Sequence, residues 1–326
     1  MTLRSLVAEL RQESEMHADA EAARMLGVLA SAGAPGADPG DWWGLAPLSS
    51  EAPIVALGEP VNVSPSKVEA VLKSPLNWFV KAAGGEATTD FARSLGTLIH
   101  AIAQDIPDGA GHEYLAELEK RWPSLGMPEN WETQLDYQRA QEMLRKLAQY
   151  VVDARSQGRR LVGVEADFSV DLPAGDHIAR LRGQVDRLEV DAAGHLVIID
   201  LKTGRRKPTA ADLAEHLQLG AYQAAVLAGA FDDAAAKAGI EPGAASRTPG
   251  GASLVPLGDG TKAMKTQDQP PLTADHDWAT PKVLEAAHLM AQATFDARHD
   301  ASWTERSGCP LPEICPLCVE GKQVTE

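Results

Sequence analysis

HIARLRGQVDRLEVDAAGHLVIIDLKTG, residues 177–204, is the stretch whose reading decides the fold. Its two halves, 177–191 and 195–203, are rich in β-branched residues and alternate in part, which predicts two strands. Between them Ala192, Ala193 and Gly194 form a three-residue hairpin loop, with glycine at the left-handed position. That loop pairs Asp191 with His195, and counting back sets Val190 opposite Leu196 and Asp186 opposite Asp200. Directly opposed residues share a face, with Cβ atoms about 4.5–5.5 Å apart. Lys202 is two residues past Asp200 and points the same way. Two adjacent carboxylates repel and are costly to ionise together. A hard divalent cation, Mg²⁺ or Mn²⁺, removes that cost. Such an ion can activate water and stabilise charge on a phosphodiester, and Lys202 can orient or deprotonate the water or offset negative charge. The plain alternative is an exposed hairpin with a cross-strand charge pair. The opposed second Asp, the apolar run Val197-Ile198-Ile199 and the Thr203-Gly204 turn weigh against it.

Outward from this hairpin, LVGVEADFSVDL (161–172) adds a preceding strand and completes a meander. The unbroken apolar run at 197–199 predicts a strand covered on both faces. Helices are expected at 3–31, 130–157, 210–230 and 280–298. Ser64-Pro65 opens another, with Val68, Val71 and Leu72 on its buried face, and Ser74-Pro75 repeats the signal ahead of LNWFVKAA. Leu95, Leu98, Ile99 and Ile102 mark a further amphipathic helix that carries Gly96 and His100. SLVPLG (253–258) reads as a further strand. Residues 32–61 have linker composition, although the Trp42-Trp43 pair predicts that part of the segment packs. The order is that of an α/β or α+β domain. Residues 1–60 form an N-terminal helical segment and linker, and residues 61–326 the main domain with a cysteine tail.

A chain of 326 residues can bury a large core, and 44% hydrophobic content is ordinary for a globular protein. No apolar stretch reaches the roughly 18 residues of a membrane span. The first residues are charged throughout, unlike a signal peptide, so a cytoplasmic protein is expected. The net charge of −16 argues against broad nucleic-acid binding. Charge is a sum, however, and a channel is local. Arg159-Arg160, then Arg180, Arg182 and Arg187, then Arg205-Arg206-Lys207 concentrate positive charge in one stretch. Cys309, Cys315 and Cys318, an odd number packed within ten residues, read as a metal or cluster site or its remnant rather than a disulfide framework.

In these residues the sequence resembles the RecB-like branch of the PD-(D/E)XK nucleases. The pattern Gly-x-x-Asp, hairpin, Asp-x-Lys-Thr-Gly stands here as Gly183 to Asp186 and Asp200 to Gly204. Gln-x-x-x-Tyr is Gln218 to Tyr222, Gly-x-x-x-His is Gly96 to His100, and the glutamate of the first strand is Glu165. Ser64-Pro65-Ser66 and the aromatic segment Pro75 to Phe79 match the family's opening. The resemblance implies a restriction-endonuclease-like α/β core, a central mixed sheet flanked by helices, with extra N-terminal helices. It implies that Asp186, Asp200, the Leu201 carbonyl and His100 bind Mg²⁺ or Mn²⁺, with Glu165 supporting the site through water. Lys202 is then catalytic, and Gln218 and Tyr222 position the lysine, the water or the DNA backbone.

The likeness is nearest to the C-terminal nuclease module of actinobacterial helicase–nucleases of the AdnAB type, which act in double-strand-break repair and recombination. The implied substrate is DNA, as single strands delivered by a helicase motor. The chain has no Gly-x-x-x-x-Gly-Lys-Ser/Thr phosphate loop, so a detached or separately encoded module is expected. The rival readings are a catalytically silent DNA-binding or scaffold module and an independent nuclease of a mobile element or defence system. Many relatives hold an iron–sulfur cluster with four cysteines, one early and three late. The late three are present, but Ser74 stands at the early position. Three outcomes stay open: a cluster with a non-cysteine fourth ligand, a zinc site completed by a histidine, or reduced cysteines that pack and clamp the C-terminus.

Overall fold

A computed structural model describes residues 2–42, 52–85, 91–241, 243–261, 263–299, 308–312, 314–315 and 317–318, with backbone alone at 91–94. Trp43 and the terminal residues 319–326 lie outside this set. The chain divides into two compact units. The first comprises residues 1–54, 73–80 and 292–326, and the second 55–72 and 81–291.

The first unit opens with α1 (Leu3–Met16) and α2 (Ala20–Ser31). The single helix expected at 3–31 is broken at His17–Asp19. Ala18 adopts a left-handed φ of 49°, and the Asp19 carboxylate accepts the Glu21 and Ala22 N–H groups, starting a new helix. Val7, Leu26, Ala34 and Ala37 form a small core against which Trp42 packs. The Trp42 indole N–H donates to the Gly36 carbonyl at 2.7 Å, and Arg11 sits over its ring. Helix α4 (Pro75–Ala82) follows α3 (Pro65–Lys73) after Ser74. Phe295 stacks on Phe79 with ring centroids 4.5 Å apart.

The second unit is built on a six-stranded mixed sheet. Its strands are β1 (Pro60–Val63), β2 (Arg160–Ala174), β3 (His177–Val190), β4 (Leu196–Lys202), β5 (Pro249–Pro256) and β6 (Gln267–Gln269). The long β3 is the organising strand. β2 runs antiparallel along it from Ala174/His177 to Arg160/Val190. β1 pairs in parallel with its first half, at 178–181, and β4 antiparallel with its last residues, 187–190. β5 continues parallel to β4, and β6 closes the edge antiparallel to β5. The short strands β1 and β6 carry no periodic signal of their own and were not legible in the sequence.

The hairpin has the expected register: Val190 pairs with Leu196 and Arg187 with Ile199. Gly194 takes a φ of 89°, and the Asp191 carboxylate accepts the Ala193 and His195 N–H groups, pinning the loop. All of 196–201 is buried. Val197, Ile199 and Leu201 pack into the main core with α5 (Phe91–Asp105), α6 (Gly111–Arg121) and α7 (Trp131–Ser156). The helical stretch at 210–230 is divided into α8 (Ala210–Ala214) and α9 (Leu217–Leu227). Helix α10 (Asp232–Lys237) follows, and α11 (Ala279–Ala291) packs beside α9. The result is the expected α/β core, a mixed sheet flanked by helices with N-terminal helices added.

Candidate active site

The register that joins three strands also aligns three acids. On β2 and β3, Val164 pairs with Arg187 and Ala166 with Val185, so Glu165 and Asp186 face each other between them. On β3 and β4 the pairing at Arg187/Ile199 puts Asp186 and Asp200 one step further on. Glu165, Asp186 and Asp200 therefore stand in a row across the sheet. His100, on α5, completes the group. Its Nδ1 is 3.4 Å from Asp186 Oδ1 and 3.9 Å from Glu165 Oε1. One ligand atom each from His100, Glu165 and Asp186 lie within 4.8 Å of one another.

Glu165 reaches this position through an unusual backbone, a left-handed φ of 44° in a non-glycine residue. Such a conformation costs on the order of 1 kcal/mol and persists only where neighbours hold it. Here the Gln184 side chain donates to the Glu165 carbonyl at 3.1 Å. Two of the motif glycines, Gly96 and Gly183, are close-approach positions, whereas Gly204 has open space around it. A Cβ on Gly96 would stand 2.9 Å from Thr203 Oγ1, so the helix carrying His100 lies directly on the Asp-x-Lys-Thr-Gly strand. A Cβ on Gly183 would meet Pro65 at 3.3 Å and the Phe168 ring at 3.4 Å, which joins the Ser-Pro-Ser opening to β3.

Asp200 is turned toward a second group of side chains. The Gln218 amide donates to Asp200 Oδ1 at 3.0 Å, and Lys202 Nζ donates to Gln218 Oε1 at 2.8 Å. Lys202 Nζ also lies 2.8 Å from Asp200 Oδ2 as an ion pair. Asp200 is buried, and the Lys202 ammonium is the partner of its Oδ2. Leu201 contributes its backbone N–H, which donates to Asp186 Oδ2 at 2.6 Å. The Tyr222 hydroxyl donates to the Gln184 carbonyl at 3.0 Å, bracing β3 two residues before Asp186. Lys202, Arg206, Lys207, His216 and Gln218 line a cleft of about 200 Å³ beside the acids.

The electrostatics are those of a site short of positive charge. Burial pushes the Asp200 carboxyl up, Lys202 opposes this, and the charge of Asp186 pushes it up further. Burial pulls the His100 imidazole down, but hydrogen bonds to Asp186 and Glu165 and their charges override it, and its pKa rises to about 10. A protonated His100 thus places one positive charge beside the Asp186 and Glu165 side chains. The donor set of one imidazole nitrogen and the carboxylates of Glu165 and Asp186, with the Asp200 carboxylate on the neighbouring strand, fits a hard divalent ion such as Mg²⁺ or Mn²⁺.

The positive stretch noted in the sequence is divided by the fold. Arg187 is buried against Glu189 and Asp108, Arg180 makes a two-pronged pair with Asp171, and Lys207 pairs with Asp259. Among the described residues, Arg182, Arg205 and Arg206 have no carboxylate partner, which leaves far less free charge than the sequence alone suggests.

The first unit holds a separate group. His299 Nε2 lies 3.2 Å from Cys315 Sγ and 3.4 Å from Cys318 Sγ. One ligand atom each from His299, Cys309, Cys315 and Cys318 lie within 4.8 Å of one another. The three cysteines are free thiols. Desolvation and then the sulfurs of Cys309 and Cys315 push the Cys318 thiol up to about 12. Ser74 is buried, and its hydroxyl accepts the Asn77 N–H at 3.4 Å as the cap of α4. The residues present therefore do not make the four-thiolate set that the resemblance implies for an iron–sulfur cluster. His299 was missed in the sequence, although a histidine ten residues before a Cys-x5-Cys-x2-Cys run is the available signal.

The family model described as "PD-(D/E)XK nuclease superfamily" matches residues 62–316. The chain belongs to the PD-(D/E)XK nuclease superfamily. In this PD-(D/E)XK chain the match spans the acidic row and Lys202 and reaches past Cys309 and Cys315, ending before Cys318. No curated protein matches it in sequence. A solved structure titled "Crystal structure of SSO0001" is similar at 12% identity and a TM-score of 0.35, covering 77% of this chain and 86% of that one.

Proposed function

We propose that this chain is a divalent-metal-dependent deoxyribonuclease that hydrolyses phosphodiester bonds. The observation that carries this reading is the row Glu165, Asp186 and Asp200, with His100 beside it and Lys202 on the same strand as Asp200. His100, Asp186, Asp200 and the Leu201 carbonyl would hold Mg²⁺ or Mn²⁺, and Glu165, at ligand distance from His100 and Asp186, joins or supports them. When bound, the ion supplies Lewis acidity toward a phosphate oxygen and a counter-charge for the acids.

The chain's own groups do the rest. Lys202 is held by Gln218 Oε1 and Asp200, yet remains about one-third exposed at its side chain, at 35%. Its ammonium faces an incoming phosphodiester, orients the attacking water and offsets negative charge that grows on the phosphate. Gln218 sets the distance between Lys202 and Asp200 by bonding both. Tyr222 acts at one remove, by fixing the β3 backbone that carries Asp186.

The biological setting we propose follows from the motif likeness to the RecB-like branch. The module spans residues 61–326 and works in the cytoplasm, on single strands released by a helicase partner during double-strand-break repair and recombination.

The test is incubation of the purified chain with end-labelled single- and double-stranded DNA, with and without Mg²⁺ or Mn²⁺. Metal-dependent cleavage, strongest on single strands, is expected. Asp200→Ala should abolish it while the domain stays folded, and wild-type cutting by that variant overturns the assignment. Lys202→Ala should lower kcat about a hundred- to a thousandfold and keep its Mn²⁺ affinity by calorimetry. DNA binding without cleavage under every metal condition replaces this reading with the silent module.

A further inference from the structure

Four potential ligands converge in the first unit, and they differ from a four-cysteine set in one decisive member. His299 presents Nε2 to the sulfurs of Cys315 and Cys318, and Cys309 completes the group. We propose that His299, Cys309, Cys315 and Cys318 bind a single zinc ion in a closed, structural Cys₃His site.

The distances favour one ion over a cluster. With Zn–S near 2.3 Å and Zn–N near 2.05 Å, a tetrahedral site has N···S edges of about 3.6 Å and S···S edges of about 3.8 Å. The two N···S separations here are 3.2 and 3.4 Å, and all four ligand atoms lie within 4.8 Å. A four-iron cluster binds each ligand to a different iron, so its cubane sits between the ligand atoms and spreads them apart; it also normally takes four thiolates. Ser74 does not supply the fourth donor, because its hydroxyl caps α4.

The surrounding backbone suits thiolates. The Leu311 N–H donates to Cys309 Sγ at 3.4 Å. The Cys315 N–H bonds the Leu311 carbonyl at 2.9 Å, and the Cys318 N–H bonds the Cys315 carbonyl at 3.0 Å. The first of these bonds relieves charge on the Cys309 sulfur, and the two backbone turns hold Cys315 and Cys318 close together. Four protein ligands leave no open position, as in structural rather than catalytic zinc sites.

The ion would have a mechanical role. The segment just before His299 is anchored to α4: Phe295 stacks on Phe79 and packs on Trp78, and the Leu76 N–H donates to the Asp296 carbonyl. Zinc coordination would tie the cysteine tail to this anchored segment. The site shares no residue with the acidic row, so it stands or falls independently of the nuclease reading.

The experiment uses the full chain, purified anaerobically, with metals measured by mass spectrometry and acid-labile sulfide assayed. One zinc per chain, without iron, sulfide or the broad visible absorption of a cluster, is expected. That zinc should remain in Asp200→Ala, be lost in His299→Ala and return in His299→Cys. Cobalt substituted into the wild-type chain should show thiolate charge-transfer bands whose pattern shifts in His299→Cys. Chelation should expose the chain after residue 299 to limited proteolysis. Stoichiometric iron and sulfide overturn the proposal in favour of a cluster, and zinc retained in His299→Ala removes His299 as a ligand. A chain with neither metal and no response to chelator shows that the thiols merely pack.

Discussion

Asp200 and His100 carry the energetic tension of the acidic row, and each sets a pH dependence in the metal-free protein. The Asp200 carboxyl is raised in the fold, first by burial. Its ionised form is therefore penalised, and the fold loses stability as pH rises through that raised value. Asp200→Asn should raise the thermal midpoint of the metal-free protein at neutral pH while abolishing cleavage. An unchanged or lower midpoint would show that Lys202 and Gln218 stabilise the carboxylate more than burial penalises it. The His100 imidazole is raised from 6.5 to about 10 despite its burial, by Asp186 and Glu165. Its contribution is fully present below pH 6.5 and fades as pH rises through about 10. At neutral pH the ring is charged, and an ion that takes Nδ1 must displace a proton. Mn²⁺ binding should release close to one proton, read by calorimetry in buffers of different ionisation enthalpy. His100→Asn should remove that release.

At the scale of elements, the site depends on close approaches of backbone to backbone. Gly258, just after β5, is the tightest case. Its N–H donates to the Lys202 carbonyl at 3.1 Å, and a Cβ there would overlap the Thr203 carbonyl, which is backbone and has no room to give. Gly258→Ala should cost about 1–3 kcal/mol in urea unfolding and shift Lys202 relative to Gln218, lowering kcat. A variant as stable as wild type would mean that the turn after β4 adapts freely. Gly96 is milder, since its neighbour is the Thr203 side chain, which can rotate. The same elements show which motifs are chemical and which architectural. Gly96, Gly183 and Tyr222 bring strands and helices together, while His100, Asp186, Asp200 and Lys202 present functional atoms.

On the scale of the whole molecule, the question is how a chain of net charge −16 receives DNA. The fold pairs Arg180, Arg187 and Lys207 internally, and among the described residues leaves Arg205 and Arg206, just past Lys202, without a carboxylate partner. Arg206 lines the cleft beside Lys202 and Gln218. If it contacts a phosphate, Arg206→Ala should weaken single-strand binding uniformly across sequences and reduce the magnitude of the salt slope by about one. A slope equal to wild type would place the strand elsewhere. Among the described residues no helix is long and apolar enough to cross a membrane.

The hairpin at 177–204, its register, its glycine and the identity of the acids were legible in the sequence. Strand periodicity and loop length are local properties, and a period of two fixes which side chains share a face. His100, Glu165 and Gln218 could be named by likeness, but their distances could not, because they reach the hairpin from other elements. The break at Ala18, the short strands β1 and β6, the burial of Arg187 and the pairing of Lys207 with Asp259 had no local signature either. Each is settled by what packs against it. His299 shows the same division: its place in the chain is plain, but only the folded tail brings an imidazole nitrogen to the cysteine sulfurs. Chemistry that depends on one strand and its neighbour across a tight turn is written locally, whereas chemistry that depends on the meeting of distant segments waits for the tertiary structure.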